Sequence, residues 1–186
     1  MNSPLCDHEI AEYVAKYNMI SPFVAETVRK PGHLSYGLSS AGYDVRIQPK
    51  FKVFTEQYTK TVDPLNFDKN CCIEVEGDSY VMPPHSFVLG LTMESFNIPN
   101  DILALCIGKS TYARCGIIVN VTPIQPGQKG SIVLEFSNTL PSPVKLYAGE
   151  DHGVCQFVFF KINTCKDIYN GNYQNQSEIV LPRSGS

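Results

Sequence analysis

Nine short, β-rich runs separated by turn residues fill most of this chain and constrain its fold more than any other feature. The runs cover residues 43–47, 51–54, 72–75, 86–92, 102–106, 117–121, 131–137, 144–147 and 154–160. Proline, glycine and asparagine stand between them, and these residues favour turns because of their backbone dihedrals. No intervening segment is long and periodic enough for repeated crossover helices. The pattern therefore predicts a mainly β sandwich, jelly roll or barrel rather than a doubly wound α/β fold.

One helix is predicted ahead of the strands, over residues 7–17. Asp7 can cap its N-terminus, and Ile10, Val14 and Tyr17 recur on one face. With 186 residues, 43% of them hydrophobic, the chain is long and apolar enough to bury one core. We therefore expect a single domain over 1–186, with a β core at about 20–162 and a polar C-terminal arm at 163–186.

Seven cysteines and four histidines are enough for a zinc site, but their spacing argues against one. The chain has no C-x-x-C pair and no H-x3–5-H pair, which are the local pairs that structural zinc sites use. Scattered thiols without a signal peptide are typical of reduced cysteines in a cytoplasmic protein. Core packing is the expected role of Cys106, Cys115 and Cys155, which stand in apolar runs.

Net charge and the length of the apolar runs exclude two classes of partner. Fifteen basic and eighteen acidic residues give a formal net charge of −3, so no global field attracts nucleic acid or an acidic membrane. The longest apolar runs fall far short of the roughly 20 residues that span a bilayer. We expect neither a nucleic-acid partner nor a membrane partner.

Residues 108–114 (GKSTYAR) contain the groups that bind phosphate. Ser110 or Thr111 can cap a short helix, and the cations of Lys109 and Arg114 stand near it. A P-loop is excluded, because Leu103 stands where that motif requires glycine. A capped helical turn with surface cations remains an equally good interpretation of this segment alone.

Two further segments carry candidate chemistry. Residues 121–127 (VTPIQPG) form a turn whose backbone groups could contact a flat ring, although a plain β-connection is the favoured interpretation of this segment alone. In residues 131–138, alternation places Glu135 on the face opposite Leu134 and Phe136. A carboxylate in an apolar strand is rare unless it is paired or functional, and Arg114 is the expected partner. A purely structural ion pair and a charge on an edge strand remain the alternatives.

Taken together, three segments resemble the dCTP deaminase branch of the dUTPase-like superfamily. They are residues 39–46 (SSAGYDVR), 108–116 and 120–139, and the resemblance extends from about residue 20 to 183. It implies a distorted jelly-roll or dUTPase-like β-barrel with an N-terminal helix and a short helix after the central strand. It also implies a homotrimer with active sites at the subunit interfaces. The implied reaction is zinc-independent hydrolysis of dCTP to dUTP and ammonia, with Mg²⁺ bound through the triphosphate and dTTP as a candidate inhibitor.

The resemblance also implies a role for each matching residue. Glu135 corresponds to the catalytic carboxylate that activates water, Ser110 helps to position that water, and Arg114 keeps Glu135 ionised. The implied contacts with base, sugar and triphosphate are those of Lys109, Ser110, Arg114, Thr122, Pro123, Gln125, Tyr169, Gln174 and Gln176. Of these, Thr122 and Pro123 belong to the loop that contacts the base.

Three positions depart from the family pattern and leave alternatives open. Gln125 replaces an acidic residue, Gln128 replaces an aromatic residue, and Asn172 replaces a phosphate-binding lysine. These changes could weaken nucleotide binding or alter the substrate. The alternatives are a bifunctional dCTP deaminase and dUTP diphosphatase, a dUTPase, and a nucleotide-binding relative with weakened catalysis. The missing acidic residue argues against strong dUTPase activity.

Overall fold

The fold is mainly β, as predicted, and the computed structural model describes residues 3–55, 58, 60–120 and 122–183. The helices are α1 (Asp7–Tyr17) and α2 (Ser110–Arg114), and a single 3-10 turn spans Lys69–Cys71. The strands are β1 (Ile20–Ser21), β2 (Thr27–Val28), β3 (Tyr36–Ser39), β4 (Gly42–Phe54), β5 (Cys72–Glu76), β6 (Ser79–Met82), β7 (Phe87–Asn97), β8 (Ile102–Gly108), β9 (Ile117–Asn120), β10 (Lys129–Asn138), β11 (Val144–Tyr147) and β12 (Gly153–Lys161). No helix in these described ranges is long and apolar enough to cross a membrane.

Ten of the strands form one curled antiparallel sheet. Its central path runs β2-β3-β4-β7-β10-β9, while β12 joins β4 to β8, and β6 pairs separately with β11. The two runs predicted at 43–47 and 51–54 are one strand, β4, whose register against β7 shifts between Ile47 and Phe51. Pro49 lies within this irregularity, and because it lacks an N–H it cannot donate to a regular ladder.

Helix α1 has the predicted limits but a different cap. Cys6 occupies the N-cap position, and the Glu9 carboxylate accepts a hydrogen bond from the Cys6 backbone N–H at 2.9 Å. Asp7 is instead the first residue of the helix, where its negative charge suits the helix dipole. Ile10 is buried in the core and Val14 packs against it, whereas Tyr17 remains 37% exposed.

Strand β10 is packed on both faces, and this decides where Glu135 lies. Leu134 and Phe136 belong to the main core, as the alternation predicts. Val133, on the other face, packs against a smaller cluster formed by Leu89, Leu91 and Ile179. Glu135 shares that second face, so the strand carries its carboxylate away from the main core toward this smaller cluster.

Two of the three cysteines expected in the core pack there. Cys155 is fully buried and Cys106 packs partly buried against the core. The expectation is wrong for Cys115, which is exposed at the C-cap of α2. The short helix interrupts the apolar pattern of the flanking strands, so the alternation of a strand does not predict which side chains are buried there.

Candidate active site

A cavity of about 540 Å³ lies between β10, the turn that precedes it and the C-terminal arm. Six of the predicted site residues line it: Thr122, Pro123, Gln125, Glu135, Tyr169 and Gln176. The remaining wall is mostly apolar and comes from Phe54, Phe87, Leu89, Ile124, Gln128, Ile132, Val133, Tyr173, Val180 and Pro182. The sequence does not predict this apolar wall, because its members come from distant segments and carry no local motif.

Glu135 has the environment of a functional carboxylate. It stands opposite Leu89 of β7 and Asn120 of β9 in the strand register. Its Oε2 atom is buried and has no hydrogen-bond partner among the described residues. Burial raises the pKa of Glu135 from an ordinary 4.5 to about 7, while its own backbone N–H lowers it. A carboxyl with a pKa near 7 can accept a proton and return it at neutral pH.

The expected ion pair between Arg114 and Glu135 does not form within one chain. Arg114 is exposed, and its guanidinium donates a hydrogen bond to the backbone carbonyl of Ser110 at 3.1 Å. Both residues sit on the short helix α2, where i and i+4 positions are neighbours. Among the described residues of one chain, therefore, no positive charge offsets the burial of the Glu135 carboxyl.

Lys109 and Ser110 line a separate cleft of about 340 Å³. Lys109, rather than Ser110 or Thr111, occupies the N-cap position of α2, and Ser110 is exposed at the first position of the helix. The buried Lys109 ammonium forms an ion pair with Asp44 and donates a hydrogen bond to Ser35 Oγ at 3.0 Å. The pairing of β12 with both β4 and β8 brings this lysine to an aspartate that is 65 residues away.

The turn before β10 is held firmly in place. Ile124 is buried and exchanges two backbone hydrogen bonds with Ala104, at 2.9 and 3.1 Å. The buried Gln128 side chain accepts a hydrogen bond from the Gln125 backbone N–H at 3.1 Å. Gln128 therefore braces the turn, while Gln125 is exposed at the cavity. Val121, the last residue of the run predicted at 117–121, lies outside the described residues.

The three predicted arm residues have different environments. Tyr169 and Gln176 line the cavity, and in the part of the chain that the structure describes the buried Oε1 atom of Gln176 has no hydrogen-bond partner. Gln174 lies outside the cavity lining, and its amide bonds only to backbone groups. The arm thus presents two side chains to the cavity and uses the third to hold itself in place.

One group of metal-ligand side chains occurs within the described residues, away from the cavity. Ligand atoms of Cys6, Asp7 and His8 lie within 4.8 Å of one another at the start of α1. The Cys6 thiol donates a hydrogen bond to the Glu9 carboxylate at 3.2 Å, which favours the protonated thiol over the thiolate that binds metals.

Comparisons with known proteins agree with this architecture. The profile of the dCTP deaminase-like family matches residues 5–162. A dCTP deaminase of Anaplasma phagocytophilum is 51% identical over 184 residues, covering 97% of this chain and 98% of the relative. A dCTP deaminase of the Wolbachia of Brugia malayi is 52% identical over 180 residues, covering 95% of this chain and 96% of the relative.

A solved structure gives independent support for the fold. The crystal structure of a 2'-deoxycytidine 5'-triphosphate deaminase from Agrobacterium tumefaciens matches with a TM-score of 0.62 and 20% identity, over 86% of this chain. The match spans about half of that chain, 48% of its length. Because its sequence matches the family profile over most of its length, and because curated relatives are about half identical to it from end to end, this chain belongs to the dCTP deaminase-like family.

Proposed function

We propose that this protein deaminates dCTP by hydrolysis, giving dUTP and ammonia, with Glu135 as the group that activates water. The observation that carries the proposal is the Glu135 carboxyl. It lines a cavity large enough for a nucleoside, its buried oxygen has no partner among residues 3–55, 58, 60–120 and 122–183, and its pKa is raised to about 7. Relatives at about 50% identity that are dCTP deaminases support the choice of substrate.

The chemistry needs one group that both takes and returns protons. Ionised Glu135 accepts a proton from the attacking water while the water oxygen bonds to C4 of cytosine. Glu135 then delivers that proton to ring N3, takes the remaining proton of the added hydroxyl, and delivers it to the amino group. The C4–N bond breaks and ammonia leaves. A positioned group of this kind contributes about 10² to 10⁴ in rate.

We propose that the turn and the arm hold the nucleotide against Glu135. Thr122, Pro123 and Gln125 line the cavity on the turn side, and the anchored Ile124 gives these residues a fixed backbone. Tyr169 and Gln176 line it from the arm. The amide oxygen of Gln176 can accept a hydrogen bond from the cytosine amino group or from the attacking water.

We propose a homotrimer in which Ser110 and Arg114 of a neighbouring copy complete the site. Both side chains are exposed and lie outside the Glu135 cavity of their own chain. Large apolar side chains are also exposed nearby on the sheet: Leu105 at 38%, Ile107 at 51% and Ile118 at 56%. A neighbouring copy would cover such side chains, and Arg114 would then favour the ionised form of Glu135.

We propose that the triphosphate extends toward the cleft of Lys109 and Ser110 and carries Mg²⁺. Arg29 and Lys109 supply cationic groups to this cleft. Asp44 is the one carboxylate among the described residues that line this cleft, and it is paired with Lys109, which fits a Mg²⁺ ion held mainly by phosphate oxygens and water. We also propose dTTP as an inhibitor at this site, and a cytoplasmic location that matches seven unpaired cysteines.

The direct test measures ammonia and nucleotide products from dCTP and Mg²⁺. We expect dUTP and ammonia in equal amounts, and loss of both in Glu135→Gln, which keeps the side-chain size but removes the base. Glu12→Gln is the matched control, because Glu12 is exposed on α1. Pyrophosphate with dUMP would indicate a bifunctional enzyme instead, and full activity in Glu135→Gln would refute the assigned role.

The shared site has its own test in mixed trimers. Ser110→Ala and Glu135→Gln chains are each expected to be inactive when they assemble alone. If neighbouring chains supply the two residues, random mixing restores about a quarter of the sites, because each site needs one intact residue from each kind of chain. A monomer by light scattering, or no recovery in verified mixed trimers, would contradict this arrangement.

A further inference from the structure

The side chain of Gln174 joins the C-terminal arm to the turn before β10. Its Oε1 accepts a hydrogen bond from the Lys129 backbone N–H at 2.7 Å. Its Nε2 donates to the carbonyl of Gly127 at 2.9 Å and to the carbonyl of Tyr169 at 3.2 Å. One amide thus bonds to the turn, to the first residue of β10 and to the arm residue that lines the cavity.

Backbone hydrogen bonds on both sides of Gln174 also join the arm to the turn and to the start of β10. The Tyr169 N–H donates to the carbonyl of Pro126, and the Asn175 N–H donates to the carbonyl of Lys129, both at 2.8 Å. The Ser131 N–H donates to the carbonyl of Gln176, also at 2.8 Å. The arm therefore adds to the start of β10 as a short edge segment of its own chain.

Two glycines make this close approach possible. Gly127 has a φ of +82°, and a Cβ there would lie 2.7 Å from Cβ of Ile168. Gly130 has a φ of +100°, and a Cβ there would lie 2.5 Å from the backbone nitrogen of Gln176. Any other residue at these positions would be strained and would push the arm away.

We infer that Gln174 is a positioning residue that fastens the arm against the turn and so holds Tyr169 and Gln176 in the cavity wall. This inference rests on the proposed function for its kinetic consequence. The strands on either side of β10 hold the backbone of Glu135 whether or not the arm is docked, and bound nucleotide favours the docked arm. Loosening the arm should therefore weaken nucleotide binding while leaving the chemical step largely intact.

The test replaces the amide with an apolar group of similar size, in Gln174→Leu. Three hydrogen bonds are lost, so the docked arm becomes a minor population. The apparent affinity for nucleotide then falls in proportion to the fraction of molecules with a docked arm. We expect the KM for dCTP to rise about tenfold, with kcat within about twofold of the parent value. Asn170→Leu is the matched control, since Asn170 is exposed on the same arm and its side chain forms no hydrogen bond with the described residues.

Amide hydrogen exchange separates positioning from direct contact with the nucleotide. In Gln174→Leu without nucleotide, the Lys129, Ser131 and Asn175 amides should exchange faster, because the arm protects them only when it is docked. Gln174→Glu keeps the acceptor for Lys129 but turns a carboxylate oxygen toward the carbonyls of Gly127 and Tyr169, so its KM should also rise. This polar variant tests the same contacts if Gln174→Leu does not fold.

Two results would overturn the inference. If KM rises while exchange at those amides is unchanged, Gln174 contacts the nucleotide directly. If exchange is faster while KM is unchanged, the arm does not contribute to nucleotide binding. If the parent protein releases no ammonia from dCTP, the proposed function fails by itself. The exchange data on the parent and Gln174→Leu still decide whether Gln174 fastens the arm.

Discussion

The Glu135 carboxyl should make the stability of this protein fall as the pH rises from about 4.5 to about 7. Its pKa is about 7 in the folded chain against an ordinary 4.5, because burial disfavours the ionised form. Between these values the folded protein keeps a proton that the unfolded chain has lost, so raising the pH favours unfolding. The difference corresponds to about 3 kcal/mol, and the full cost applies above pH 7.

Removing the titrating group should abolish this cost. Glu135→Gln cannot ionise, so it should match its parent in stability near pH 4 and exceed it by up to about 3 kcal/mol at pH 8. The pair should be compared in an Arg114→Gln background. That change removes the cation that a neighbouring copy would supply, and leaves Glu135 with the surroundings of its own chain.

Urea unfolding at equal protein concentrations, repeated from pH 4 to pH 8, measures the difference. The control pair is the same background with and without Glu12→Gln, for which we expect no dependence of this size. If the difference in unfolding free energy between the proteins with Glu135 and with Glu135→Gln stays constant across this pH range, the Glu135 carboxyl is not held protonated. In that case Glu135 would not be a base whose pKa is raised toward neutral pH.

Three further predictions concern charged groups of the fold and the site. Lys109→Met should destabilise the protein by about 3 kcal/mol because it leaves buried Asp44 unpaired, and adding Asp44→Asn should recover much of this in urea unfolding. Glu94→Gln should cost about 3 to 5 kcal/mol in the same assay, because Glu94 accepts hydrogen bonds from both the side chain and the backbone of buried Arg46. In the active enzyme, Arg114→Gln should raise the pH at which kcat/KM reaches half its maximum toward about 7, and an unchanged midpoint would contradict a cation at the catalytic carboxyl.

Local patterns were reliable where one residue's environment depends on its neighbours in sequence. Helix α1 begins and ends where its apolar spacing predicts, although Cys6 rather than Asp7 precedes it as the cap. In β10, the alternation that sets Glu135 opposite Leu134 and Phe136 is the alternation of the folded sheet. Both results depend only on the periods of helix and strand, which local geometry determines.

The sequence did not predict the contacts that distant segments make. Arg114 is the expected partner of Glu135, but α2 leaves it exposed against Ser110 within one chain, so their pairing across a subunit interface stays a prediction. The sequence around Lys109 does not indicate that its side chain is buried against Asp44, 65 residues earlier. No short pattern encodes these distances, because long-range strand pairing sets them.

The sequence by itself determined the kind of fold and the catalytic candidate, because both depend on features that are local in the chain. Turn residues at short intervals require an antiparallel β-protein, and a lone carboxylate in an apolar strand is costly unless it has a function. Only the tertiary structure decided what surrounds that carboxylate. The curled sheet encloses Glu135 beside an apolar cluster and docks the arm through Gln174, and the resulting burial raises its pKa. Desolvation depends on every group that packs nearby, so it exists only once distant parts of the chain have come together.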